Sequence, residues 1–332
     1  MSAGTDTLIS VSQRFEIVEP FDLDVRRFRM YTSFQIGDIV IKPYLMDHSA
    51  FDATAFEVTA EGKTVIYSGD FRGHGRKAVC LDRFIENAKK QPDILLTEGS
   101  MIGRKNEQIL TEGQLEDALV ERMKDLDSPL LFQCSSQNID RLVSFYRAAV
   151  RSKRIFVVDI YTANVLYELR QLGNNLPYPS PDYPKIKVFF PYWLTQKIFK
   201  EIGEGYAQHF SAFHISRESL GKIQNNIVMA CRPSMRMDIE KCGLRDGTFI
   251  YSLWSGYRGS QYQQKFEKYL GKKGFKREML HTSGHAAITD IKRLINGLDP
   301  HKIIPIHTMQ PDAFLEYSAK TELKDDGVTF EV

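Results

Sequence analysis

The sequence predicts an α/β protein that contains two sheets of different kinds. Before Glu98, short apolar runs are separated by tight turns, a pattern typical of antiparallel strands. After Glu98, helical and strand-like segments alternate, which indicates parallel strands joined by crossover helices. Several apolar runs end in a histidine or an acidic residue, so strand ends carry side chains that bind metals.

The N-terminal part is predicted as the strands of a single sheet. Gly62 lies between two apolar runs and predicts the turn of a hairpin. The predicted strands are residues 28–31, 39–46, 55–58, 64–68 and 94–97. We expect these strands to form one layer of a sandwich.

The remainder of the chain alternates between helices and strands until it returns to the first sheet. The proline-rich stretch 174–184 predicts a loop. From about residue 261 the chain is predicted to rejoin the first sheet through a helix at 287–298 and a strand at 303–306. The other predicted elements are helices at 114–126, 139–151 and 163–172, and strands at 130–133, 155–159, 227–231 and 248–253.

Composition sets only loose limits on function. The net charge of +2 and the pI of about 8.2 permit a polyanionic substrate without requiring one. No apolar run approaches the roughly 18 residues of a membrane span, and no signal segment follows Met1. We therefore expect a cytoplasmic protein that has no membrane partner. The four cysteines lack Cys-x-x-Cys spacing and are interpreted as reduced and structural.

Candidate metal ligands recur at strand ends in a fixed order. Carboxylates and neutral imidazoles together suit zinc or manganese. Taken singly, each residue has an ordinary explanation, since Asp70 fits turn chemistry, His48 fits a loop cap, and His307 fits a strand end. His74, among three cations, is compatible with either a phosphate contact or a solvated loop. The motifs are Asp47-His48-Ser49, Ser68-Gly69-Asp70-Phe71, Thr97-Glu98-Gly99, His281-Thr282-Ser283-Gly284-His285 and Pro305-Ile306-His307.

In this order the motifs resemble the β-CASP group of the metallo-β-lactamase superfamily, and more closely its ribonuclease J-like members. The resemblance extends along almost the whole chain. It implies a metallo-β-lactamase αββα sandwich with an inserted α/β β-CASP domain. The implied division is a partial metallo-β-lactamase domain at 1–125, the insert at 126–258, and a return to the first domain at 259–332.

The resemblance also implies roles for single residues. His48, Asp70 and His307 would hold two divalent metal ions, zinc first and manganese as the alternative, with Asp70 bridging them. His285 would hydrogen-bond a phosphate oxygen or protonate the leaving group, and Glu98 would orient a histidine. The residues implied to touch the substrate are Ser283, Gly284, Ser135 and Ser136.

One part of the family pattern is missing from the sequence. Relatives carry a His-x-His-x-Asp-His cluster upstream of the strand that here precedes His48, and this chain has no histidine before His48. We therefore expect an N-terminally incomplete sandwich that begins inside a longer reading frame. Such a chain would be poorly soluble or would form homo-oligomers, because an uncovered sheet face favours association.

The resulting functional hypothesis is metal-dependent phosphodiester hydrolysis of RNA, absent or impaired in this chain because the first ligand cluster is missing. RNA, or another nucleic acid, is the expected partner. Two alternatives stay open. The chain could be a non-catalytic nucleic-acid-binding or scaffold protein, or it could hydrolyse a small ester or thioester, because the superfamily fold supports several chemistries.

Overall fold

The structure is a computed structural model that describes residues 1–15, 24–104, 109–173, 175–201, 203 and 205–332. The chain divides into two compact units. Unit 1 comprises Met1–Asp6, Asp24–Thr111 and Ser283–Val332, and unit 2 comprises Thr7–Leu23 and Glu112–Thr282. The boundaries at residues 125 and 258 that the family resemblance implies both fall within Glu112–Thr282, and that division stays a prediction.

The described elements alternate between strands and helices after the first sheet. The strands are β1 (Phe34–Ile36), β2 (Ile39–Leu45), β3 (Thr54–Ala60), β4 (Lys63–Tyr67), β5 (Ile94–Glu98), β6 (Leu130–Gln133), β7 (Ile155–Asp159), β8 (Ile186–Phe189), β9 (Ile227–Ala230), β10 (Thr248–Tyr251), β11 (Lys276–Met279) and β12 (Lys302–Ile306). The α-helices are α1 (Ala3–Arg14), α2 (Val79–Asn87), α3 (Glu112–Met123), α4 (Ile139–Arg151), α5 (Ile160–Gln171), α6 (Tyr192–Glu201), α7 (Gly205–Gln208), α8 (Arg217–Lys222), α9 (Arg236–Lys241), α10 (Gln261–Lys272) and α11 (Ile288–Leu298).

Unit 1 contains a mixed sheet with the strand order β1-β2-β3-β4-β5-β12. Strands β1 to β4 pair antiparallel, whereas β4, β5 and β12 are parallel to one another. Because β2 and β4 are both antiparallel to β3, the strands β2, β4, β5 and β12 all end at the same edge of the sheet. The side chains that follow these four strands are therefore brought to one edge.

Helices α2 and α11 supply apolar side chains that form a buried core with this sheet. Tyr44 of β2 lies opposite Ala55 of β3 in the register, and both are fully buried in that core. Phe84 from α2 and Leu294 from α11 belong to the same core. The helices therefore bury the face of the sheet that carries Tyr44.

Unit 2 contains a six-stranded parallel sheet with the order β11-β10-β6-β9-β7-β8. Its central strands are buried along their whole length, as in β6 and β10. Such continuous apolar burial is expected of parallel strands that helices cover on both faces. The α/β class and the alternation after Glu98 are thus confirmed.

Some elements differ from the sequence predictions. The strand predicted at 28–31 is wrong, because no strand forms there and Tyr31 has a left-handed backbone with φ of 65°. The edge strand of that sheet is β1 instead. β11 was not predicted, since its sequence Lys276-Arg277-Glu278-Met279 is charged, as is common for an edge strand. Among the described residues, no helix is long and apolar enough to cross a membrane.

Candidate metal centre

Four predicted site residues of unit 1 come together at the shared edge of its sheet. Asp70, Glu98, His285 and His307 each offer one ligand atom, and these atoms all lie within 4.8 Å of one another. Asp70 follows β4, Glu98 ends β5, and His307 follows β12. The parallel direction of those strands therefore explains how distant parts of the sequence meet.

Glu98 is fully buried and its carboxylate is surrounded by donors. The backbone N–H of Phe71 donates to Oε1 at 2.8 Å, and the N–H of Ser100 donates to Oε2 at 3.3 Å. The N–H of Ala286 adds a third bond to Oε1 at 3.4 Å. Backbone donors compensate the cost of burying a carboxylate. Glu98 is thus held rigidly from two loops and from the residue after His285.

His285 is oriented by Glu98. Its Nδ1 lies 3.0 Å from Glu98 Oε2, and its backbone N–H donates to Ser283 Oγ at 3.0 Å. In the neutral ring Nδ1 carries the proton that it donates to the carboxylate, so the lone pair is on Nε2. Burial lowers the pKa of His285, but the hydrogen bond and charge of Glu98 outweigh burial, so the pKa stands above its ordinary value.

His307 has an unusual backbone that directs its ring toward Asp70. Its φ is +48°, a left-handed conformation that few non-glycine residues adopt. Ser100 Oγ donates to the carbonyl oxygen of His307 at 3.1 Å and lies 3.0 Å from its Nδ1. Asp70 Oδ1 lies 2.9 Å from the same Nδ1. Nδ1–H is therefore the donor to both oxygens, and Nε2 keeps its lone pair.

The turn that presents Asp70 requires glycine at the preceding position. Gly69 has φ of +58°, and a Cβ atom there would lie 2.7 Å from the carbonyl oxygen of Thr54. Both the backbone conformation and the close approach exclude a side chain. Asp70 itself is only partly buried, with 36% of its side chain exposed, so its carboxylate is accessible.

His48 lies beside this group but is not one of its four members. Its ring makes an edge contact with that of His285 at a centroid distance of 5.2 Å. The N–H of Ala50 donates to Nδ1 at 3.0 Å, so the neutral ring carries its proton on Nε2. Nε2 is buried and has no hydrogen-bond partner. Burial, then the nearby His285, lower the pKa of His48 to about 4.

Gly284 and Ser283 lie in the loop that precedes His285, close to the loop that carries His48. A Cβ atom on Gly284 would overlap Ser49 Oγ and lie 3.4 Å from His48 Nε2, so glycine permits the close approach of the two loops. Ser283 is buried, and its Oγ contacts Met101 Sδ at 3.0 Å. Two of the four residues predicted to touch the substrate therefore lie in the loop that leads to His285.

Ser135 and Ser136 belong to unit 2, where they follow β6. Ser136 Oγ accepts hydrogen bonds from Thr162 Oγ1 at 2.8 Å and from Arg232 Nη2 at 3.2 Å. Ser135 Oγ accepts the backbone N–H of Gln137 at 3.2 Å. Their hydroxyl groups thus take part in contacts within unit 2, and their predicted role in substrate binding stays a prediction.

The donor set of unit 1 fits a zinc ion. Imidazole nitrogen and carboxylate oxygen are ligands that zinc prefers. His285 directs its Nδ1–H toward Glu98, which leaves the lone pair on Nε2. His307 and Asp70 lie close enough to hold one ion together, and that ion would replace the hydrogen bond between Nδ1 and Asp70 Oδ1. The buried Nε2 of His48, which has no partner, provides a further site for coordination once Nδ1 releases the N–H of Ala50.

The sequence analysis missed two contributors to this centre. Ser100, which fixes the backbone and ring of His307, lies two residues after Glu98 and carries no motif of its own. Arg72 is fully buried against Asp47, although the sequence places it in a run of cations that is typical of a solvated loop. No local sequence pattern signals this pair, because Asp47 lies 25 positions before Arg72.

Comparison with known families adds an independent finding. Residues 274–325 match the family model described as the Zn-dependent metallo-hydrolase RNA specificity domain. This match supports the metallo-β-lactamase/β-CASP family. The matched segment contains His285 and His307, so the family model covers two of the four clustered residues. It covers a minor part of the chain.

A solved structure resembles the fold over nearly the whole chain. It is the crystal structure of a protein of unknown function from Enterococcus faecalis V583, at 18% sequence identity and a TM-score of 0.77. The alignment covers 99% of this chain and 74% of that chain. At this identity the likeness concerns the fold alone. No curated protein matches the chain.

Proposed function

We propose that this protein is a metal-dependent hydrolase that cleaves the phosphodiester bonds of RNA. The observation that carries the proposal is the cluster of Asp70, Glu98, His285 and His307 within 4.8 Å at one sheet edge. The family match of residues 274–325, which is described by RNA specificity, supports the substrate class. We propose in addition that the fold is a metallo-β-lactamase sandwich with an inserted β-CASP domain.

Each residue of the cluster has a defined part in this proposal. Asp70 and His307 would hold zinc. His48 would join them after its Nδ1 gives up the hydrogen bond from the N–H of Ala50. Zinc would supply an acidified water and neutralise charge on the phosphate. Two ions with Asp70 between them, and manganese in place of zinc, are finer parts of the same proposal.

His285 is the proposed proton donor. Glu98 raises the pKa of His285, which favours the protonated ring, and Nε2–H of that ring can donate to a phosphate oxygen or to the leaving group. Glu98 keeps Nδ1–H directed inward, so the exchangeable proton is on Nε2. Glu98 therefore acts through His285, because backbone donors already surround its own oxygens.

We expect slow or absent hydrolysis by this chain alone. The sequence has no His-x-His-x-Asp-His cluster and no histidine before His48. The described part of unit 1 therefore offers fewer metal ligands than the full set of a two-metal hydrolase. The expected result for this chain is therefore zinc binding with little or no turnover.

A second function is favoured by the state of His48. Its Nδ1 accepts the N–H of Ala50, which puts the proton on Nε2 and opposes metal binding through that atom. A protein that binds RNA without cleaving it would require no metal at this edge. Such binding would weaken steeply as salt rises, because phosphate contacts release counterions.

The test combines a zinc titration with cleavage of labelled RNA by the whole chain. Asp70→Ala should abolish zinc binding and any cleavage, whereas the control Asp326→Ala, at an exposed position of the C-terminal segment, should change neither. Salt-dependent RNA binding without zinc or cleavage would favour the second function. Full zinc affinity and activity in Asp70→Ala would contradict the proposed site.

A further inference from the structure

Arg72 connects three loops beneath the candidate metal centre. Its side chain is fully buried, as is that of Asp47, and Nε lies 3.4 Å from Asp47 Oδ1. Nη1 donates to the carbonyl oxygen of Ser283 at 3.1 Å. The backbone N–H of Arg72 donates to the carbonyl oxygen of Asp47 at 2.7 Å. One residue is therefore bonded to the loop after β2 and to the loop before α11.

The residues after Arg72 reinforce the same connections. The N–H of Gly75 donates to Asp47 Oδ2 at 2.7 Å, and His74 Nε2 lies 2.9 Å from the carbonyl oxygen of Ser283. The N–H of Gly73 donates to Asp290 Oδ2 at 3.0 Å, near the start of α11. A Cβ atom on Gly73 would lie only 2.5 Å from Asp290 Oδ1. The segment is therefore closely packed among its partners.

Each residue bonded in this way lies one or two positions from His48, Asp70 or His285. Asp47 directly precedes His48, Arg72 lies two residues after Asp70, and Ser283 lies two residues before His285. We propose that Arg72 is a positioning residue that holds the loops of His48, Asp70 and His285 in the arrangement that binds metal. This inference rests on the proposed function, because metal affinity is its readout.

The chemistry of the pair favours a positioning role over a general stabilising one. A buried ion pair contributes little net stability compared with well-packed apolar side chains. A guanidinium has a planar fork of donors, so Arg72 can serve a carboxylate and a carbonyl oxygen at once. A lysine ammonium keeps the charge but lacks the fork. Charge and geometry can therefore be separated by Arg72→Lys.

The experiment measures zinc affinity of the metal-stripped whole chain by competition with a chromophoric chelator. Residues that orient metal ligands through hydrogen bonds commonly contribute about 10–100-fold to metal affinity, and we expect Arg72→Lys to lose zinc affinity within that range. The matched control is Arg154→Lys in unit 2. Arg154 is also buried and donates to the carbonyl oxygens of Ser128 at 2.9 Å and Ile227 at 3.3 Å. It should keep the affinity of the wild type.

A second variant and a second readout keep the test decisive. If Arg72→Lys does not melt cooperatively, Asp47→Asn replaces it, since asparagine keeps the shape and an oxygen acceptor while losing the charge. In either variant, the NMR signals of the His48 and His285 rings should shift before any metal is added. Wild-type zinc affinity with unchanged ring signals in a folded variant would overturn the positioning role and leave the proposed function intact. A wild-type chain that binds no zinc would overturn both.

Discussion

Each unit contains a fully buried arginine–carboxylate pair, and the two pairs differ in their surroundings. In unit 1, Arg72 lies 3.4 Å from Asp47, and its other contacts reach the loops of the candidate metal centre. In unit 2, Arg141 lies 3.1 Å from Glu112, whose other oxygen accepts Ser144 Oγ at 2.7 Å. The second pair joins two helices, α3 and α4, that cover the parallel sheet.

The comparison shows how one chemistry can serve two purposes. Arg141 also donates to Ser252 Oγ at 2.6 Å and to the carbonyl oxygen of Thr282 at 3.1 Å, so its network connects the ends of several elements within unit 2. We infer that removing either partner of this pair destabilises unit 2, because the other charge would stay buried and uncompensated. The pair of unit 1 is bonded to the loops that carry residues of the metal centre, so its mutation should also change metal affinity.

The largest effect is expected in unit 2. Glu112→Ala would leave the Arg141 guanidinium buried without its carboxylate, which should lower the free energy of unfolding by about 3–5 kcal/mol. Denaturant unfolding measures the loss. Glu121→Ala, on the exposed face of the same helix α3, should change the free energy by less than about 0.5 kcal/mol. A loss below about 1 kcal/mol for Glu112→Ala would contradict the assigned role.

The turn before Asp70 should be the next most sensitive position. Gly69→Ala adds a Cβ atom close to the carbonyl oxygen of Thr54 at a left-handed φ, so we expect a loss of about 2–3 kcal/mol together with weaker zinc binding. Gly62→Ala is the control, because Gly62 also has a positive φ but faces open space. It should lose about 1 kcal/mol and keep its zinc affinity. Equal effects of the two variants would show that the close approach does not matter.

His48 predicts a pH dependence of stability in the metal-free chain. Its folded pKa of about 4 lies below the ordinary value of 6.5, so the unfolded chain binds more protons between these values. The contribution of His48 is therefore complete above about pH 6.5 and is lost as the pH falls toward 4, by about 1–3 kcal/mol. Thermal unfolding of wild type and His48→Asn should diverge over this window. Parallel pH profiles would contradict it.

The smallest effect is expected at Ser100. Ser100→Ala removes a donor to the carbonyl oxygen of His307 and the contact with its Nδ1, so zinc affinity should fall several-fold and stability by about 1 kcal/mol. Ser318→Ala, which loses only an exposed bond from the N–H of Lys320, should leave zinc affinity unchanged. A chelator competition and a melting curve measure both quantities. Unchanged affinity in Ser100→Ala would remove Ser100 from the centre.

Local sequence patterns predicted the secondary structure that alternates along the chain. The alternation of helix and strand in unit 2 follows from apolar runs such as β6, which is buried throughout. The joint site of the residues after β4, β5 and β12 was implied by the family resemblance, whereas the parallel direction that brings the ends of these strands together required the structure. The predicted loop was correct for its described residues 175–184.

Other parts depend on distant contacts that no local pattern contains. Arg72 meets Asp47 from 25 positions away, and Ser100 meets His307 from 207 positions away. The solvated-loop alternative for His74 is wrong, since the residue is buried and its Nε2 lies 2.9 Å from the carbonyl oxygen of Ser283, and the phosphate contact stays a prediction. His281 Nδ1 lies 3.3 Å from Arg141 Nη1, a contact across 140 positions of the sequence. Burial and partners of polar residues thus required the structure.

An anomalous-scattering map at the zinc edge, from crystals of the chain soaked in zinc, tests the metal centre directly. We expect a peak between Asp70 and His307 with ligand distances of about 2.0–2.2 Å, and loss of that peak in Asp70→Ala. A crystal that takes up zinc only elsewhere, or a peak that persists in Asp70→Ala, would show that this sheet edge is not a metal centre.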